Sequence, residues 1–117
     1  INTAPVEKRG DRLLLFGGKS WPAGAAASRL ADGRYTLGLR PHHVSPLPVS
    51  GVSGEVEGRV LVTELSGSES VIHLDVAGST WVSLSHGIHP LEVGAQARLH
   101  ADVDRALFFA PSGERVS

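Results

Sequence analysis

GEVEGRVLVTE (Gly54–Glu64), LSGSE (Leu65–Glu69) and SVIHLDV (Ser70–Val76) follow one another without a break, and together they decide the fold class. In the first stretch Val56, Val60 and Val62 fall on one face of an extended chain; in the third, Ile72, Leu74 and Val76 do. A period of two is the mark of a strand with one buried face. Between the two strands, Ser66-Gly67-Ser68 reads as a hairpin turn. Downstream, Ala77-Gly78 turns the chain into a strand over Thr80–Ser85, and Ala95–Val103 places Ala97, Leu99, Ala101 and Val103 on one face. Upstream, Pro5–Arg9 and Arg12–Phe16 flank the turn Gly10-Asp11. Gly17-Gly18 turns again into Lys19–Trp21, which Pro22 stops. Arg34–Leu39 alternates, with Tyr35, Leu37 and Leu39 together. The alanine-rich stretch Ala23–Ala31 lacks a broad apolar stripe and reads as a loop or one short helix. Val44–Ser53, with Pro46, Pro48 and Gly51, reads as a surface loop. Fourteen glycines and seven prolines punctuate the whole chain, as in an all-β domain of many short strands closed into a small barrel.

At 117 residues and 12.3 kDa the chain is expected to form a single domain, 1–117. Eleven basic residues face twelve acidic ones, a balance with no electrostatic footprint for nucleic acid or an anionic membrane. With no cysteine there are no disulfides, thiolate zinc sites or cysteine nucleophile. The apolar runs, such as Leu13–Phe16, are too short for a transmembrane helix or a signal peptide. The absence of methionine and the start at Ile1 lead us to expect a piece of a longer protein.

Several motifs imitate active sites. Gly18-Lys19-Ser20 resembles the end of a phosphate-binding loop, but Leu13 stands where that loop needs its first glycine, and Trp21-Pro22 follows where it needs a helix. A hairpin turn with a solvated lysine is the preferred reading. Leu65–Glu69 resembles the ABC ATPase signature, yet the strand periodicity after it points to a β-turn around Gly67. His42 and His43 are adjacent and should point to opposite sides of extended chain. His86 and His89 could converge across a loop, with His73 or His100 as a third ligand, but no spacing matches a zinc site, so solvated or hydrogen-bonded histidines are expected and no metal. No Gly-x-Ser-x-Gly elbow exists. Glu55 and Glu57 share a strand face and could act as paired carboxylates, but on an outward face solvated charges are expected. Trp21 and Trp81 read as half core and half rim, and with Phe109 they are the candidate anchors for a protein contact. Leu107-Phe108-Phe109 is either a final strand or a docking strip.

Four stretches taken together resemble a known family. Asn2 looks like the asparagine that opens the C-terminal regulatory region of ABC importer ATPases of the maltose, trehalose and glycerol-phosphate type. Leu37-Gly38-Leu39-Arg40-Pro41-His42-His43 is similar to that family's Gly-(Ile/Leu)-Arg-Pro-Glu-His motif. Glu64-Leu65-Ser66-Gly67-Ser68-Glu69-Ser70 resembles its Glu-x-Leu-Gly-x-Glu-Thr hairpin. Leu107-Phe108 with Gly113 and Arg115 resembles its terminal His-Leu-Phe-Asp…Gly-x-Arg pattern. His42 replaces the usual Glu, Ser66 the Leu, Ala106 the His and Phe109 the Asp, which removes any charge contact those residues make in relatives. The resemblance implies an OB-fold-like barrel of transport-associated (TOBE) type with no chemistry or cofactor of its own, ATP and magnesium belonging to an ATPase domain outside this chain. It also implies pairing with a second copy, assembly with membrane-spanning importer subunits at the cytoplasmic face of the membrane, and control by soluble regulatory proteins. Two rival readings remain. One is an oxyanion-binding TOBE domain using Arg40, Lys19 and Ser68. The other is a nucleic-acid-binding OB-fold, which six aromatics and a net charge of −1 disfavour.

Overall fold

Turn chemistry sets the strand registers. In the computed structural model, which describes residues 1–117, two-residue turns join Arg9 to Arg12, Ser66 to Glu69 and Val76 to Ser79. Gly67 sits at φ 60°, the left-handed region such turns require. The elements are β1 (Asn2–Arg9), β2 (Arg12–Leu15), β3 (Lys19–Pro22), α1 (Gly24–Ser28), β4 (Gly33–Leu39), β5 (Val44–Ser45), β6 (Ser53–Ser66), β7 (Glu69–Val76), β8 (Ser79–His86), β9 (Gln96–Asp102) and β10 (Leu107–Phe109). Single 3-10 turns cover Pro41–His43 and Val103–Arg105.

These strands form two five-stranded antiparallel sheets, ordered β10-β4-β1-β2-β3 and β5-β9-β6-β7-β8. In the second sheet the buried Ser83 hydroxyl donates to the Val44 carbonyl, which brings β8 back beside β5 and curls the sheet into a nearly closed barrel. The all-β fold and the OB-like barrel expected from sequence are both present, with the first sheet packed beside the barrel. α1 is the short helix allowed for in Ala23–Ala31.

Reciprocal contacts join the sheets. Trp21 on β3 donates its indole N–H to the Glu55 carbonyl on β6 at 2.9 Å, and Trp81 on β8 donates to the Thr3 carbonyl on β1 at 3.2 Å. Asn2 completes the junction: its amide donates to the Val82 carbonyl at 2.8 Å and accepts from the Val82 N–H at 2.7 Å, so one side chain does the work of a strand neighbour. One continuous core of twenty-one apolar residues runs through both sheets.

Three expectations are corrected. Trp21 and Trp81 are each 1% exposed, so they are core residues at an internal junction and not rim anchors for another protein. Val62 leaves the shared face of Val56 and Val60. Val60 pairs with Leu74 but Val62 pairs with His73, so a bulge at Leu61 shifts the alternation and Val62 is 43% exposed. Val44, placed in a surface loop from sequence, is fully buried as the start of β5.

Candidate functional site

Arg40 is extended (φ −68°, ψ 149°), as a residue before proline prefers, and it is exposed. Pro41 then opens a 3-10 turn instead of continuing the strand. The extended-chain expectation for the histidine pair is therefore overturned: the His42 and His43 rings tilt against each other with centroids 4.0 Å apart. Burial and the neighbouring His42 push the His43 imidazole below the ordinary value of 6.5, and its buried Nδ1 has no hydrogen-bond partner.

The three motif stretches meet in two places. The first is Gly38. It pairs with Leu107, and a side chain on it would begin 2.9 Å from Ile1 Cδ1 and 3.1 Å from Phe109 Cε2. Glycine is what lets Ile1 and Phe109 lie flat over this sheet. Leu107–Phe109 is thus the final strand, at the edge of the first sheet, with Phe108 fully buried and Phe109 half-buried. Gly113, at φ 92°, turns the tail back so that Arg115 bridges to Phe109.

The second meeting place is a polar cleft of about 280 Å³ lined by His42, Ser45, Glu69, Leu84, Ser85 and His86. Glu69 stands opposite His86 in the β7–β8 register. The buried Ser85 hydroxyl has no partner. His42 and Glu69 come from different motifs, 27 positions apart by the numbering, and only the packing of the Pro41–His43 turn on β8 brings them together. Sequence reasoning missed this pairing and the unpartnered Ser85 hydroxyl. Glu64, the remaining hairpin position, is exposed, with His73 at 3.9 Å. His86 and His89 do not converge through their rings: His89 Nε2 lies 2.9 Å from the His86 carbonyl oxygen and donates to it.

Lys19 is less free than its turn suggested. It bonds Glu57 at 2.8 Å and lies 3.6 Å from Glu55, while Arg98 reaches Glu55 at 3.2 Å and Glu57 at 3.6 Å. Glu57's hydrogen bond raises the Lys19 ammonium above its ordinary value, and the same bond holds the Glu57 carboxyl below its own. The paired carboxylates thus form one alternating ionic stripe with Lys19 and Arg98, across β3, β6 and β9. All four side chains reach solvent, and the stripe fixes geometry more than it adds stability.

The sn-glycerol-3-phosphate import ATP-binding protein UgpC of Salmonella paratyphi A is 31% identical over 122 residues, covering 95% of this chain and 31% of that protein. UgpC of Chromobacterium violaceum is 36% identical over 121 residues, covering 97% of this chain and 30% of that protein. The chain therefore spans about a third of the length of these curated relatives. Among solved structures, the cytoplasmic molybdate-binding protein ModG, in its molybdate-bound form, superposes with a TM-score of 0.66 at 15% identity, covering 94% of this chain and 96% of that one, a likeness of fold. The model of the TOBE domain matches residues 37–109, from the end of β4 through the barrel to β10, and the chain belongs to the TOBE-domain family.

Proposed function

We propose that this chain is the regulatory and dimerisation domain of the ATP-binding subunit of an ABC importer for a carbohydrate or glycerol phosphate. The observation that carries this reading is the similarity of 95–97% of the chain to import ATP-binding proteins of which it makes up about 30%. In this role the domain performs no chemistry. ATP and magnesium belong to the ATPase domain of the parent subunit, and the membrane-spanning subunits choose the solute. The domain acts as a tether. Two ATPase domains that part on each cycle stay at high local concentration if a second contact persists between their subunits. A soluble regulator that fixes this contact in one geometry biases the open–closed equilibrium. With Trp21 and Trp81 in the core, contact with a second copy falls to residues that reach the surface, such as the half-buried Phe109.

The test is the assembled importer with its ATP-binding subunit truncated before Ile1. Nucleotide binding should persist, while dimer stability without nucleotide and control by soluble regulators should be lost. Regulation that persists unchanged, or nucleotide binding that vanishes from a folded ATPase domain, refutes the proposal. The oxyanion-binding reading draws on the fold shared with ModG. Against it, Lys19, one of its three candidate residues, is engaged by two carboxylates. Calorimetric titration with molybdate separates the two readings.

A further inference from the structure

A cavity of about 570 Å³ lies where the two sheets meet, a size typical of small-molecule sites. It opens because β2 leaves β1 early. Their ladder covers only Glu7–Arg9 of β1, so Thr3–Val6 has β4 on one side and an unpaired edge on the other. That edge is poor in hydrogen-bonding groups: the Thr3 carbonyl is taken by Trp81, and Pro5 has no N–H. Leu14, Phe16, Val76 and Trp81 supply apolar wall. Phe16 stands edge-on to Trp21 at 5.7 Å and to Trp81 at 5.3 Å.

Two further observations single this cavity out. Phe16 (φ 54°) and Ala77 (φ 48°) are the chain's two non-glycine residues with positive φ, and both line it, one from each sheet. Each lies in a hairpin turn, Phe16 between β2 and β3 and Ala77 between β7 and β8, so two turns with left-handed backbone border the cavity. The charges at the mouth are also uneven. Glu7 is paired with Arg9 at 3.1 Å, whereas Arg34, opposite Glu7 in the β1–β4 register, is exposed and makes no ion pair. The cavity offers an apolar, partly aromatic interior and one uncommitted guanidinium.

We propose that this cavity binds a small amphiphilic anion, an aromatic or branched aliphatic body carrying a single carboxylate, sulfonate or phosphate that pairs with Arg34. The inference stands apart from the importer reading, because it uses residues 3–35 and the β7–β8 turn and not the family motifs. The probe is 8-anilinonaphthalene-1-sulfonate, titrated into the full chain and followed by its own fluorescence and by quenching of the tryptophans. One saturable site is expected, with energy transfer from Trp81. Arg34→Gln should weaken binding about fivefold, the loss of one partly exposed ion pair. Ser79→Trp, at an exposed lining position, should fill the opening and weaken binding at least about tenfold. Should that variant fail to fold, the uncharged Leu14→Trp takes its place. Uncharged 2-naphthalenemethanol should compete more weakly than naphthalene-2-sulfonate. Binding that survives the filling variant, or that is lost on Leu65→Ser/Val93→Ser at the exposed aliphatic surface, overturns the site. Binding lost on filling but unchanged in Arg34→Gln overturns the anionic class.

Discussion

Gly54→Ala tests the junction between the sheets most directly. Gly54 lies on the buried face of β6 beneath the Trp21 indole, and a Cβ built there falls 2.3 Å from Trp21 Cδ2, 2.5 Å from Cε2 and 2.7 Å from Cγ. Carbon atoms at rest stand about 3.5–4.0 Å apart, so the ring or the strand must move by about 1.2 Å or more. Trp21 has nowhere to go: it is 1% exposed, and its N–H is spent on the Glu55 carbonyl, one residue from the substitution. Overpacking of this kind costs about 1–3 kcal/mol, and pulling the indole off its acceptor adds about 1–3 kcal/mol for a buried unpaired N–H. A loss near 3 kcal/mol lowers Tm by roughly 10–20 °C in a chain of this size. Thermal melting followed by near-ultraviolet circular dichroism reads both the loss and the displaced tryptophan. A double-mutant cycle isolates the cause: in a Trp21→Leu background the same Gly54→Ala change should cost far less. A Tm within a few degrees of wild type with an unchanged near-ultraviolet signal refutes the seating of Trp21 on Gly54, as does an equal cost in both backgrounds.

Gly67→Val places a β-branched residue at φ 60° with open space around it, so the cost is backbone strain alone, about 1–3 kcal/mol by urea denaturation; an unchanged midpoint refutes the turn. Asn2→Ala removes both bonds to Val82 and should cost about 2 kcal/mol; a loss below about 0.5 kcal/mol refutes the clasp. His43 gives a pH dependence with a definite sign. Burial holds its folded-state value below 6.5, so the unfolded chain takes up the proton first, and stability present above 6.5 is lost as pH falls through the folded value. Urea midpoints at neutral pH and near pH 5 should therefore converge in His43→Gln relative to wild type; an equal pH slope in both proteins refutes the assignment.

The hairpin Gly54–Val76 was legible because its information is local: a period of two on each strand and a glycine where the turn needs positive φ. The bulge at Leu61 was not, because it is a property of the ladder. Nothing within Val60-Leu61-Val62 says that Leu74 and His73 will oppose only its ends. The tryptophans were misread for a related reason. A large aromatic announces that it will be buried, but not whether against another protein or against the other sheet of its own chain. One signal was available. The buried face of β6 runs Gly54, Val56, Gly58, Val60, and glycine at alternate positions marks a close approach of other groups: Trp21 over Gly54, and the Asp75 carbonyl of the neighbouring β7, 2.5 Å from a Cβ at Gly58.

The motif residues ask for a similar argument. Read singly, Gly38, Arg40-Pro41-His42, Glu69 and Leu107-Phe108 are scattered letters with no chemistry among them. In the fold they gather around one connection. Leu39 ends β4 in the first sheet and Val44 begins β5 in the barrel, and both are fully buried, so the run between them is pinned at each end. Gly38, at its start, lies under Phe109; His42, in its turn, lies in the cleft with Glu69 and His86. The Leu39–Val44 run thus links the Gly38–Phe109 contact of the first sheet to the His42–Glu69–His86 cleft of the barrel. The clue to this in the sequence was Pro41, which favours the first turn of a helix and made extended geometry the wrong assumption for the histidines that follow.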